Sequence, residues 1–204
     1  YDFQSQVDVN ILGHIFEHSL NEIESVNAEI EGTDFDKQKT KRKKDGVFYT
    51  PKYITKYIVD NTIGKLCADK KQELGIIDEE YAKGRKNRQA TTIVKLDKQL
   101  KDYRDWLLQL TICDPACGTA GFLVAASEYL NDHYSTEIFA NPEAAKRFSE
   151  ETFFGYDFDS TMLRIGSMNM MLHGVENPRI ENRDSLSETH SHIESKYSLI
   201  LANP

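Results

Sequence analysis

Asp114 and Gly118 fall together in "CDPACGTAGFL" (113–123), and the pattern is that of a ligand site. A β-rich segment, "LTICD", ends at the acid, a glycine-containing turn follows, and a helix then runs to about Leu130. In a parallel α/β sheet this junction puts a ligand at the carboxyl edge of the first strand, where glycines admit it to the backbone. The dinucleotide fingerprint G-x-G-x-x-G is absent, and a carboxylate at the strand end would repel a pyrophosphate. Such a carboxylate suits a ligand with a cationic end, an amino acid ammonium or a sulfonium. A second candidate lies in "YSLILANP" (197–204), where an apolar strand leads into Asn203-Pro204. Isolated Asn-Pro is a common turn dipeptide. The strand before it and the glycine turn upstream make this one a candidate for chemistry. Asp157 closes a further strand, "TFFGYD", and Asp184 follows another in "NRDSL". Without those neighbouring motifs, each would read as an ordinary strand-end carboxylate.

Other side chains that could do chemistry read more simply. "HIFEH" (14–18) matches H-x-x-E-H and places His14 and His18 on one helical face, but no third ligand is suggested. The polar flank of an amphipathic helix accounts for it. Cys113 and Cys117 straddle the strand–turn junction and, with Cys67, read as buried free thiols. His190 and His192 sit in a polar loop. All four methionines fall between 162 and 171 and read as core filler. The basic runs "KQKTKRKK" (37–44) and "KGRKNR" (83–88) read as solvated loops. The first lies just before "GVFYTP" (46–51), a position that raises the odds of a phosphate-binding role.

The elements that must hold these residues follow from periodicity. Leu12, Ile15, Phe16, Leu20 and Ile23 recur at spacings of three and four, which predicts a helix over 9–30 with one apolar stripe. A second helix restarts after Thr50 as N-cap and Pro51 as first helical residue, with Ile54, Tyr57, Ile58, Ile63 and Leu66 apolar. Residues 69–92 are polar and read as an insertion or linker. Leu96, Leu100, Tyr103, Leu107 and Leu110 mark another amphipathic helix. Asn141-Pro142 caps a more exposed helix, and "STMLRIGSMNMMLHG" is apolar on several sides, hence buried. Strands alternating with helices predict a parallel sheet covered on both faces.

Composition limits the function classes. A net charge of −8 argues against a chain that grips nucleic acid over its whole surface, while leaving room for a local basic face. No apolar run reaches the length of a membrane span, and three unpaired cysteines suit a reducing, cytoplasmic setting.

"DPACGTAGFL" resembles the cofactor motif of the N6-adenine DNA methyltransferases of restriction-modification systems, above all type I modification subunits and fused restriction-methylation enzymes. "GVFYTP" resembles their second cofactor element, "ANP" the start of their catalytic Asn-Pro-Pro-aromatic tetrapeptide, and "ILGHIFEHSL" their helical lead-in. The resemblance implies an α/β fold, the Rossmann-like S-adenosylmethionine-dependent methyltransferase fold, preceded by an α-helical N-terminal region. The expected organisation is a helical region with the second cofactor element over 1–68, a charged insertion and amphipathic helix over 69–108, and the first half of the catalytic domain over 109–204. The sheet is expected to be incomplete, with its first four strands only and the last as an edge, in a portion of a longer chain that is expected to be inactive by itself.

The same resemblance implies the site. S-adenosyl-L-methionine is the expected cofactor, with Asp114 orienting its methionine end, Gly118 supplying bare backbone, and Thr119 and Ala120 lining the turn. Family members often carry glycine where this chain has Ala120. Phe48, Tyr49 and Thr50 would close the other side, Asp157 would accept the ribose hydroxyls, and Asp184 would accept the adenine amine. The Asn203 side-chain oxygen and the Pro204 carbonyl would each accept one N6 hydrogen of an adenine flipped out of duplex DNA. Expected partners are that DNA, a specificity subunit or fused target-recognition domain, and a restriction subunit. Cytosine N4, a protein glutamine amide (disfavoured by "GVFYTP"), and a cofactor-binding assembly subunit without catalysis remain as alternatives.

Overall fold

A computed structural model describes residues 9–32, 50–83, 88–188 and 194–203. Phe48, Tyr49, Pro204, His190, His192, the basic run 37–44, residues 84–87 of the second basic run, and the side chains of His14 and Glu17 lie outside the described residues.

Four parallel strands form one sheet: β1 (Ile112–Asp114), β2 (Phe153–Asp157), β3 (Arg179–Asn182) and β4 (Leu199–Ile200). Their order is β3-β2-β1-β4, so the direction of winding reverses between β1 and β4. That switch point is where open α/β sheets bind ligands, outside the carboxyl ends of the strands. The register sets Ile112 beside both Phe153 and Leu199, and Asp114 beside Gly155.

The helices are α1 (Val9–Glu31), α2 (Lys52–Glu73), α3 (Asp78–Ala82), α4 (Ala90–Leu107), α5 (Gly121–Ile138), α6 (Pro142–Glu151) and α7 (Ser160–Leu172). α5 and α6 connect β1 to β2, and α7 connects β2 to β3. The main core joins α2, α5 and α7 to one face of the sheet through Val59, Ile63, Leu123, Leu130, Met170 and Phe153. Each such side chain, fully buried, contributes roughly 1.5–3 kcal/mol of transfer free energy. Asn141 caps α6 as expected, its Oδ1 accepting from Ala144 N–H at 2.9 Å. Asp159 does the same for α7, accepting from Thr161 N–H at 2.7 Å.

Among the described residues, the other face of the sheet carries a side-chain cluster where helical cover was expected. Cys113, Phe154 and Tyr156 form a small cluster there with Tyr197 packed on it. Cations overlie it: Arg179 at 5.5 Å from the Phe154 ring, Lys196 at 5.6 Å from the same ring, and Arg183 at 3.9 Å from the Tyr156 ring. The charged groups themselves lie over the aromatic faces, the Arg183 guanidinium closest of the three, an arrangement that the negative face of an aromatic ring favours.

Further departures have local causes. Helix α2 starts at Lys52, with extended Pro51 (φ −56°, ψ 144°) as its cap residue, so Thr50 is not the N-cap. Within the stretch expected to be a linker, residues 69–73, 78–82 and 90–92 are helical, with charge pairs along their exposed faces. Lys70 meets Glu73 at 2.7 Å, Lys71 meets Asp78 at 3.0 Å, and Gln99 Nε2 donates to Leu74 O at 2.7 Å where α2 ends. Helix α5 continues past Leu130 through a bend at Tyr134, whose hydroxyl bonds that of Tyr103 at 3.1 Å. Met162 and Met170 are buried as core filler, whereas Met168 and Met171 face solvent. Ile15 and Ile23 of the α1 stripe are exposed. Among the described residues, no helix is long and apolar enough to cross a membrane.

Candidate functional site

The site begins where β1 stops. Asp114 is 2% exposed, and its Oδ1 accepts from Ala116 N–H at 3.0 Å. Burial pushes its carboxyl up to about 7; the Ala116 bond opposes this and the Asp157 charge adds to it. The turn that follows is pinned to the neighbouring strand, Cys117 N–H donating to Tyr156 O at 2.9 Å. Gly118 (φ 49°) and Ala120 (φ 63°) then take the left-handed conformation that reverses the chain into α5. A methyl group at Gly118 would meet no atom within 4 Å, so the turn opens onto free space beside Asp114.

Asp157 at the end of β2 completes this edge. Its Oδ2 accepts from Gly118 N–H at 3.0 Å and its Oδ1 from Asp159 N–H at 2.8 Å. A carboxylate has about four acceptor positions, so each oxygen retains capacity for a hydroxyl. Exposed Phe158 follows, its carbonyl held by Asn182 Nδ2 at 3.0 Å. Asp184 is exposed and accepts from Leu186 N–H at 3.0 Å. Its loop is tied back to the turn by Ser185 Oγ, which donates to Pro115 O at 2.5 Å.

Asn203 reaches the same edge from the other side of β1. Leu201 N–H donates to Cys113 O at 2.8 Å, carrying the chain past the end of β4 alongside Asp114. Asn203 Nδ2 then donates to Thr50 Oγ1 at 3.0 Å. This commits the amide nitrogen and leaves Oδ1 as the acceptor of that side chain. The structure therefore gathers Asp114, Gly118, Thr119, Ala120 and Asp157 around one turn and joins Thr50 to Asn203.

Three residues that sequence reasoning passed over support the turn. Asn169 of α7, 0% exposed, donates through Nδ2 to Thr119 O at 2.8 Å. A methyl at Gly166 would lie 3.0 Å from Gly118 O, and one at Gly155 would lie 2.9 Å from Cys117 Sγ and 2.6 Å from Ile180 Cδ1. Glycine inside a helix or a strand is a signal of close backbone approach, and it was present at both positions. Burial raises the pKa of Cys117 and brings Cys113 to about 12, so both thiols stay protonated and serve as packing. His18 pairs with Glu22 at 3.3 Å on the surface of α1.

Residues 91–204 match the N-6 DNA methylase family. The chain belongs to that family. Over 109 residues it is 37% identical to the type II methyltransferase M.VspI of Vibrio sp. (strain 343), a match covering 50% of this chain and 22% of that one. Over 205 residues it is 22% identical to the type I restriction enzyme EcoEI methylase subunit of Escherichia coli, covering 100% of this chain and 29% of the relative. A crystal structure of a modification subunit assigned to a type I restriction enzyme of Vibrio vulnificus YJ016 superposes with a TM-score of 0.50. It is 23% identical, with 96% of this chain and 28% of that chain covered. The two chains thus share a fold. The chain spans about a quarter of the length of the curated relatives it matches.

Proposed function

We propose that the protein to which this N-6 DNA methylase chain belongs transfers a methyl group from S-adenosyl-L-methionine to N6 of adenine in duplex DNA, as part of a restriction-modification system. The observation that carries this reading is the Asn203–Thr50 hydrogen bond. It sets an amide acceptor at the rim of a turn whose buried carboxylate suits a cationic ligand.

The residues present fit that cofactor. Asp114 offers a buried negative charge to an ammonium, Gly118 leaves open space for a ligand against the backbone, and Asp157 keeps acceptor capacity for ribose hydroxyls. Phe158 offers an aromatic face beside Asp157, and Asp184 an acceptor for the adenine amine. Phe48 and Tyr49 would close the pocket next to Thr50. When bound, S-adenosyl-L-methionine supplies the electrophilic methyl group.

The chain's own residues do the rest by positioning. The target amine is a poor nucleophile because its lone pair is delocalised into the ring. Asn203 Oδ1 and the Pro204 carbonyl would accept its two hydrogens and turn the lone pair out of the ring plane. Proline fixes φ and so helps to aim that carbonyl. Thr50, by holding Nδ2, keeps Oδ1 pointed for the task, and transfer is then a matter of alignment and electrostatics. The basic run 37–44 would meet DNA phosphates. The protein would act in the cytoplasm with a specificity subunit or fused target-recognition domain, and with a restriction subunit.

The test is methylation of duplex DNA by the full-length protein with labelled cofactor, followed by nucleoside analysis. N6-methyladenine in the wild type, and its loss in Asn203→Ala with cofactor affinity kept, is the expected result. N4-methylcytosine would reassign the substrate, and tight cofactor binding without any methylated product would leave an assembly role.

A further inference from the structure

The first two turns of α2 carry a surface that neither the core nor the cofactor turn uses. Tyr53 and Tyr57 are 74% and 68% exposed, and Lys52 and Lys56 beside them are also exposed. The helix buries Thr55, Val59, Ile63 and Cys67 instead, so the two tyrosines project from a different flank. At 1.5 Å rise per residue they stand about 6 Å apart along the axis, one above the other. Thr50, which bonds Asn203, lies three residues before Tyr53, so their Cα atoms are at most about 11 Å apart. The nearest carboxylate on these turns is Asp60, 3.4 Å from Lys56 in an exposed pair that contributes little and that a phosphate can displace.

We infer that Tyr53, Tyr57, Lys52 and Lys56 form a contact surface for the DNA strand beside the target base. The inference rests on the reading of Asn203 as a residue that acts on a base in DNA. Flat aromatic faces bracketed by cations suit a sugar–phosphate strand and a base left unpaired where its partner has flipped; every base offers a π-face, so the contact is independent of sequence. Charge argues for this occupant. The chain as a whole is acidic at −8, and a nucleic acid is drawn to a site only where lysines are concentrated. Position argues for it too, because Tyr53 lies only three residues beyond the Thr50 that bonds Asn203.

The experiment uses the full-length protein with the subunits it assembles with, once wild-type DNA methylation has been measured. Tyr53→Ala with Tyr57→Ala should weaken binding to a duplex containing its target site about tenfold or more and raise KM for DNA, with cofactor affinity within about twofold of wild type. Tyr53→Phe with Tyr57→Phe should bind as wild type, since the ring faces remain. Lys52→Gln with Lys56→Gln should reduce the slope of log K against log salt by about two. Unchanged DNA affinity in the alanine variant would overturn the inference, leaving the methyltransferase reading intact. So would loss of cofactor binding or of subunit assembly in step with DNA binding, since either marks a structural or protein-docking role. A wild-type protein with no activity on DNA would instead bring down the underlying reading.

Discussion

The Asn203 amide nitrogen lies 3.0 Å from the Thr50 hydroxyl, joining two residues 153 positions apart at the carboxyl edge of the sheet. One bond thus couples the segment before α2 to the end of the last strand. An Asn side chain past a strand end is otherwise free to rotate, and a rotated amide would present a donor where the reaction needs an acceptor.

Replacing Thr50 with Val should therefore lower kcat more than it weakens cofactor binding. A single hydrogen bond is worth about 1 kcal/mol, or roughly fivefold. Asn203→Ala, which removes the acceptor itself, should cost about a hundredfold or more in kcat. Steady-state methylation by the full-length protein, set beside cofactor binding by calorimetry, separates the two effects.

Asp114 predicts a pH dependence. Burial holds its folded-state value at about 7 against 3.8 for the unperturbed group. Between those values the folded protein binds more protons than the unfolded chain, so stability without ligand should fall as pH rises from about 4 to 7. Cofactor affinity should move the opposite way, rising from about pH 6 to 8 as the carboxylate ionises to meet a cation. Asp114→Asn should raise the melting temperature at pH 8 and abolish cofactor binding. A variant that keeps its cofactor affinity would disconnect Asp114 from the ligand.

The supports of the turn should be sensitive to small changes. Gly166→Ala improves helix propensity by about 1 kcal/mol. Its methyl would sit 3.0 Å from Gly118 O, so the turn must shift. Cofactor affinity should drop even where thermal stability holds. Asn169→Leu leaves Thr119 O without its buried donor and should cost about 1–3 kcal/mol of stability. Thermal unfolding and cofactor titration on the same samples check both.

Ala120 and Gly118 make a paired test. Ala120 holds a left-handed φ of 63°, which glycine adopts at less cost, so Ala120→Gly should be neutral to stabilising within about 1 kcal/mol. Gly118→Ala introduces the same strain and fills the space beside Asp114. It should reduce cofactor affinity by much more than its effect on melting implies.

Much of this was legible along the chain. Alternating apolar strands and periodic helices predict a parallel α/β sheet. "CDPACGTAGFL" marks its ligand-bearing turn, and Asn141-Pro142 marks a helix start that the structure shows capped. These are local signals, set by side-chain period, glycine conformation and capping within a few residues. Tertiary structure alone decided what the signals could not contain. Parts of the polar stretch 69–92 are helical, and Lys71 and Gln99 find partners across the turn that follows α2. Met168 and Met171 fell on the solvent side of a helix whose opposite side is buried. Gly155, Gly166 and Asn169 gained their roles from neighbours far away in sequence. Thr50, read as a helix cap, became the partner of Asn203. Contacts across so many residues follow from the winding order of the sheet, and no periodicity within a short window encodes them.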